Sequence, residues 1–216
     1  MAKIAGKGRK PRRPYHHGNL RRGLLDEALA TIRAEGVDRL TLREIGTRLG
    51  VSRTALYRHF ADKRALLAAV ATEGFRTLRQ HLEAAWVEGG RNREAFEAMG
   101  TAYIRFAIAN SSHYRVMFGG SIDPKVCGPE LAAEAAGAFQ ALVDALSSLQ
   151  RAGIVRADDT LTTARYVWAV VHGVSMLAIN GQLPDPVSID GLTRYTSDRL
   201  LTGIDVGRAL SGAPRG

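Results

Sequence analysis

The stretch TLREIGTRLGVSRTALYRHF, residues 41–60, restricts the fold more than any other part of the chain. Thr41 followed three residues later by Glu44 forms a capping box, in which the hydroxyl and the carboxylate reciprocally satisfy two free backbone N–H groups at a helix start. Leu40 and Ile45 stand where a hydrophobic staple belongs. Leu42, Ile45 and Leu49 share one face, and Gly50 suits the residue that ends a helix. Ser52 then caps a second helix, in which Leu56 and Phe60 form the inward pair. Two short helices joined by a tight, glycine-containing turn make a helix-turn-helix.

The flanks extend this unit. Residues 20–36 place Leu20, Leu24, Leu25, Ala28, Leu29 and Ile32 on one stripe, with Asn19 as N-cap and Gly36 as terminator. Asp62 caps a fourth, long helix. Helical periodicity continues over 92–110, 111–118, 129–152, 160–181 and 189–210, with a Gly/Pro loop at 119–129. No alternating strand pattern of useful length and no internal repeat occurs. The predicted fold class is therefore all-α, with an arm over 1–18, a helix-turn-helix unit over 19–64 and a C-terminal bundle over 65–211.

Charge separates the two ends. Residues 1–64 contain 16 Lys/Arg against 6 Asp/Glu, a net of +10, whereas residues 65–216 carry a net of −1. A cationic excess confined to one small unit is the footprint of a polyanionic partner. Cys127 is the only cysteine, which excludes an intrachain disulfide and a cysteine-rich zinc site. No apolar run reaches the length of a membrane span, and no signal-peptide core follows the basic start, so a cytoplasmic protein without membrane contact is expected. His16 and His17 lack the further ligands that a metal requires, and no cofactor is expected.

The second helix of the pair holds almost nothing acidic. With Leu56 and Phe60 inward, its early residues Arg53, Thr54 and Ala55 are placed to meet base edges in the major groove. Arginine can grip guanine through two hydrogen bonds, while the methyls of threonine and alanine can touch a thymine methyl. Tyr57, His59 and Lys63 lie further along and suit phosphate oxygens. Two roles fit Lys7, Arg9, Lys10, Arg12 and Arg13 in the arm. They can enter the adjacent minor groove, or they can add only salt-sensitive, sequence-blind attraction to phosphates.

From Leu20 to Leu67, and above all in GVSRTALYRHFADK, the chain resembles TetR-family transcriptional regulators. The resemblance implies a homodimer whose N-terminal three-helix units bind a palindromic double-stranded DNA operator. It also implies a C-terminal bundle that binds a small molecule of unknown identity and thereby releases DNA. Carried over by position, it adds Thr41 and Arg43 as phosphate contacts near the first helix of the pair.

The bundle must then hold the effector site and the dimer interface. In VWAVVHGVSMLAING, residues 167–181, Trp168, His172 and Met176 fall on one helical face and Val167, Val171, Val174 and Ala178 on another. A helix apolar on two faces must be covered on both. Effector pockets are mostly apolar with a few fixed polar groups, which makes Tyr103, Phe106, His113, Met117, Phe118, Trp168, His172 and Met176 the candidate lining. His172 is equally compatible with a core histidine bonded to a backbone carbonyl. Trp168-Ala-Val-Val-His172-Gly173, HYRVMFGG and RPYHHGNLR resemble the WHG-type subgroup of these regulators. By that pattern, the helices at 160–181 and 189–210 pair with their symmetry mates.

Two other classes fit less well. An enzyme is not expected, because GVSML lacks the second glycine of a nucleophile elbow and GKGRK lacks the spacing of a phosphate-binding loop. A sequence-blind binder of DNA or anionic surfaces, driven by the basic arm, needs no capped recognition helix.

Overall fold

The computed structural model describes residues 20–123, 128–183 and 186–204, the backbone alone for 186–190 and 204. Among these residues the chain forms nine helices and no extended strand. They are α1 (Leu20–Glu35), α2 (Leu42–Leu49), α3 (Arg53–Tyr57), α4 (Lys63–Glu88), α5 (Arg93–Ala109), α6 (Ser111–Phe118), α7 (Pro129–Arg151), α8 (Thr160–Ile179) and α9 (Pro186–Ile204). The fold is all-α. No helix among the described residues is long and apolar enough to cross a membrane. The arm with Lys7, Arg9, Lys10, Arg12, Arg13, His16 and His17, the cap Asn19, Cys127 and the expected helical residues 205–210 lie outside the described residues.

Local chemistry places the helix ends. Gly50 takes the left-handed conformation at φ 69°, and Val51 N–H reaches the Gly46 carbonyl at 3.0 Å, closing α2. The capping box forms differently from the expected reciprocal pattern. Thr41 Oγ1 accepts the Glu44 N–H at 3.2 Å, but the Glu44 carboxylate accepts the Thr41 hydroxyl at 2.9 Å instead of a backbone N–H. Ser52 caps α3 and Asp62 caps α4, each accepting an N–H three residues on. Helix α3 is only five residues long, so Phe60 belongs to the turn beyond it and not to the helix; Leu56 and Phe60 are nonetheless both buried. Helix α9 begins at Pro186, three residues earlier than the periodicity predicts.

Close approach between α2 and α3 depends on Gly46. A Cβ there would lie 2.8 Å from Leu56 Cδ1, so a larger residue would force the buried Leu56 side chain to shift. Leu24, Ala28, Ile32, Leu40 and Ile45, all without solvent exposure, fill the space beneath them. Arg48 locks α2 onto α1 through Glu35 at 2.6 Å and Thr31 at 3.1 Å.

Helix α4 joins this unit to the bundle. Its 26 residues extend roughly 39 Å at the α-helical rise. Leu66, Leu67 and Val70 belong to its first half and Phe75, Leu78 and Leu82 to its second, and all join one continuous core. Gly74 lets α6 pack directly on α4, since a Cβ there would lie 2.5 Å from Met117 Sδ. Arg76 and Arg79 both reach Glu134, tying α4 to α7 at 2.9 and 3.1 Å. Partly exposed pairs such as these each contribute little stability, so their main effect is to hold register.

Candidate functional site

Two sites emerge, one on the surface of α2–α3 and one inside the bundle. On α3 the side chains of Arg53 and Thr54 are exposed and Ala55 is half-buried. The Arg53 guanidinium stands 5.5 Å from the centre of the Tyr57 ring, a cation–π distance that holds both groups on the outer face. Tyr57, Arg58 and His59 are exposed, as are Thr41 and Arg43 at the start of α2. Lys63 is half-buried and donates to the Asp38 carbonyl at 3.2 Å, so its ammonium is anchored beside the helix pair.

Electrostatically this face is unbalanced. Among the described residues Arg43, Arg53 and Arg58 enter no ion pair, while Arg48 is taken up by Glu27 and Glu35. The nearby acids are occupied: Glu44 accepts from Thr41, and Asp62 accepts the Ala65 N–H at 2.7 Å. Guanidiniums outside any ion pair on this helix pair can bind phosphate and guanine edges without first breaking a salt bridge.

Inside the bundle lies a cavity of about 500 Å³, a size typical of small-molecule sites. Helices α4 to α9 all contribute to its lining, with the α6–α7 connection adding Gly120 and Ile122. Tyr103, Met117, Phe118 and Trp168 are among the lining residues. Phe106, His113, His172 and Met176 are not. Phe106 is buried edge-on to the His81 ring at 5.9 Å. His113 lies 3.6 Å from the Glu73 carboxylate, and burial pulls its pKa below the usual histidine range despite that neighbour. Met176 packs half-buried against the core.

His172 sits behind the wall in a hydrogen-bonded chain. Trp168 Nε1–H donates to the Tyr103 hydroxyl at 3.1 Å. The Tyr103 and Tyr114 hydroxyls are 2.8 Å apart, and Tyr114 lies 2.7 Å from His172 Nδ1. An indole can only donate. The His172 tautomer protonated on Nε2 lets Tyr103 donate to Tyr114 and Tyr114 donate to Nδ1, and so gives every hydroxyl proton of the chain an acceptor. Burial acts in the same sense, holding the His172 pKa down and pushing Tyr103 up to about 12 and Tyr114 higher still. The partner of His172 is thus a tyrosine hydroxyl and not a backbone carbonyl. Periodicity could not single out Tyr114, because its partners lie on α5 and α8 and share no repeat with α6. Among the described residues no group of three or more His, Cys, Asp or Glu is placed to hold a metal ion.

This pairing of a capped helix-turn-helix with a cavity-bearing helical bundle is shared with known proteins. Residues 24–70 match the bacterial regulatory proteins of the tetR family, and residues 96–200 match the tetracyclin repressor-like C-terminal domain. The chain belongs to the TetR family of regulators. It is similar to the tetracycline repressor protein class D of Escherichia coli, 34% identical over 76 residues, which are 35% of this chain and 34% of that one. The match therefore spans about a third of the length of that repressor. A solved structure of a protein of unknown function from Rhodococcus sp. RHA1 is 34% identical, with a TM-score of 0.78 over 90% of this chain and all of that one. The TetR family transcriptional regulator PfmR from Thermus thermophilus shares the fold, with a TM-score of 0.68 at 22% identity over 83% and 97% of the two chains.

Proposed function

We propose that this protein is a sequence-specific DNA-binding transcriptional regulator: a cytoplasmic homodimer that represses from a palindromic operator and is released by a small molecule in the bundle cavity. The observation that carries the reading is the exposed α3 face, where Arg53 and Thr54 project beside Arg43, Tyr57 and Arg58 with no internal ion pair among the described residues to neutralise the arginines. Arg53, Thr54 and Ala55 read bases; Thr41, Arg43, Tyr57, His59 and Lys63 hold phosphates. The arm at 1–18, with Arg9, Lys10, Arg12 and Arg13, adds electrostatic attraction along the duplex. The DNA-reading unit is 19–64, and 65–211 binds the effector and the second subunit.

Several features support the two further parts. For the dimer, α8 and α9 leave Leu161, Tyr166, Leu177 and Tyr195 exposed at 45, 53, 42 and 60%. Gly173, on the same face of α8 as Tyr166 and Leu177, has open space where a Cβ would point, which permits close approach of another helix. For the effector, α4 runs from the DNA-reading unit to the cavity wall at Phe75, Leu78 and Leu82, so a ligand there can act on the position of α3. Tyr103, Met117, Phe118 and Trp168 contact the effector; Phe106, His113, His172 and Met176 support the wall.

Selection of bound fragments from a randomised duplex library tests the proposal. The expected result is an enriched palindrome whose half-sites are about 34–36 Å apart, or a multiple of that spacing. An absence of enrichment contradicts it.

A further inference from the structure

The cavity walls are mostly apolar, aliphatic side chains alternating with the rings of Phe75, Phe96, Phe118, Phe139 and Trp168. Of the polar groups in the wall, the Ser197 hydroxyl has no hydrogen bond among the described residues, whereas the indole and phenol are engaged. Trp168 Nε1–H is donated to Tyr103, and the Tyr103 hydroxyl is bonded in turn to Tyr114. A buried ligand therefore meets a surface that can hold an apolar body and has few free hydrogen-bonding groups to offer it. On α4 the lining runs from Phe75 to Leu82, seven residues or roughly 10 Å of helix.

Among the described residues, charge enters the lining at Glu97 and Arg165. They are not equivalent. Glu97 is faced by Arg93 of the preceding turn, with Nε 3.7 Å from its carboxylate. Arg165 is exposed and has no ion pair among the described residues. Asp159, the N-cap of its helix, feels the Arg165 charge but forms no ion pair with it, its carboxylate capping α8 through the Thr162 N–H at 2.7 Å. Among the described residues, a guanidinium outside any ion pair thus stands where an apolar cavity meets solvent, while the acid of the lining, Glu97, is already partnered.

Resting on the effector reading above, we infer that the ligand is an amphipathic organic anion, with an apolar body of roughly 10 Å inside the apolar walls and one anionic group on the Arg165 guanidinium. A neutral molecule of the same shape gains the burial but not the charge-assisted hydrogen bond, and an amine is repelled.

Two fluorescent probes that differ only in a sulfonate test this on the full-length protein at about 0.15 M salt, where attraction to the basic arm is screened. The probes are 1-anilinonaphthalene-8-sulfonate and the neutral N-phenyl-1-naphthylamine. Wild type should bind both, the anion more tightly. Arg165→Gln should weaken the anion about ten-fold, the size expected for a partly exposed charged hydrogen bond, and leave the neutral probe within two-fold; Arg165→Lys should recover most of the loss. Equal loss of both probes, or no loss of the anion, overturns the inference while leaving the cavity an effector site. A cavity-filling change, Ala138→Phe or Leu142→Phe, whichever keeps wild-type helicity, should weaken both probes together. Failure of either probe to bind wild type, or binding untouched by the filled cavity, overturns the effector reading itself and the inference with it.

Discussion

The Tyr114 hydroxyl lies 2.7 Å from His172 Nδ1 and so joins α6, which packs on α4, to α8, which walls the cavity. Tyr114 is fully buried, its ring lies over His172 with centroids 5.6 Å apart, and Tyr103 completes the cluster from α5. The three helices around the cavity are thus fixed to one another by directional contacts as well as by apolar packing. That arrangement makes the bundle sensitive to which partner is removed.

His172→Phe should destabilise the protein more than Tyr114→Phe. The histidine change leaves the buried Tyr103–Tyr114 hydroxyl pair one acceptor short, at a cost of about 1–3 kcal/mol. With Tyr114 shortened to Phe, the Tyr103 hydroxyl still faces His172 Nδ1 at 3.4 Å, so the loss should be nearer 1 kcal/mol. Urea unfolding of the two variants, compared at equal m-value, measures the difference.

Stability should fall as the medium is acidified below about pH 6.5. Burial lowers the pKa of both His172 and His113 from the ordinary value of 6.5, Glu73 opposing the shift at His113 only in part. Below 6.5 the unfolded chain therefore binds protons that the folded chain refuses, and stability is lost until the folded pKa values are passed. Above 6.5 these two groups contribute no pH dependence. Unfolding free energy followed between pH 5 and 8, with His113→Asn and His172→Asn each flattening part of the slope, checks both the sign and the assignment.

Gly46→Ala should cost about 1–3 kcal/mol, because its methyl would press on Leu56, which is only 2% exposed and has little room to move. Gly50→Ala should cost roughly 1–2 kcal/mol through its left-handed backbone alone. Thermal unfolding measures both. Gly46→Ala should also weaken DNA binding by more than its unfolded fraction accounts for, since it repacks Leu56, the buried side chain that seats α3.

Arg53→Ala should relax preference at one base position by about 1–3 kcal/mol, while Tyr57→Ala should weaken binding evenly across sequences. A set of single-base operator variants titrated against each protein separates the two patterns. Equal loss at every position for Arg53→Ala would remove it from base reading.

Trp168→Ala should change the response to a bound effector far more than it changes operator affinity without one. It removes a cavity wall and the indole donor to Tyr103 together. Trp168→Phe, which keeps most of the wall and loses the donor, should fall between. DNA binding with and without effector, in variants of wild-type helicity, decides this.

The parts of the fold that could be read in advance are those written locally. Thr41, Gly50, Ser52 and Asp62 act within three or four residues of themselves, so spacing alone places α2, α3 and the start of α4. Local spacing did less well on how the ends close: the Glu44 carboxylate prefers the Thr41 hydroxyl, and α3 stops at Tyr57. The cavity was only half legible. Aromatic and Met residues at helical spacing give lining and packing residues the same pattern, so Phe106 and Met176 look like Phe118 until the helices are placed. Arg165 and Glu97 read as ordinary surface charges, and their position at the cavity follows only from how α5 and α8 meet. Arg48 likewise resembles its neighbours Arg43 and Arg53 in sequence, yet it is spent on α1.

The most direct test is the affinity of the full-length protein for its selected duplex against a shuffled duplex of the same length and composition, by fluorescence anisotropy at about 0.15 M salt. Specific readout by α3 predicts at least a ~10³-fold preference for the selected site, reduced when Arg53 is replaced. Equal affinities that fall together as salt rises would mean that charge alone binds the DNA, and would contradict the account.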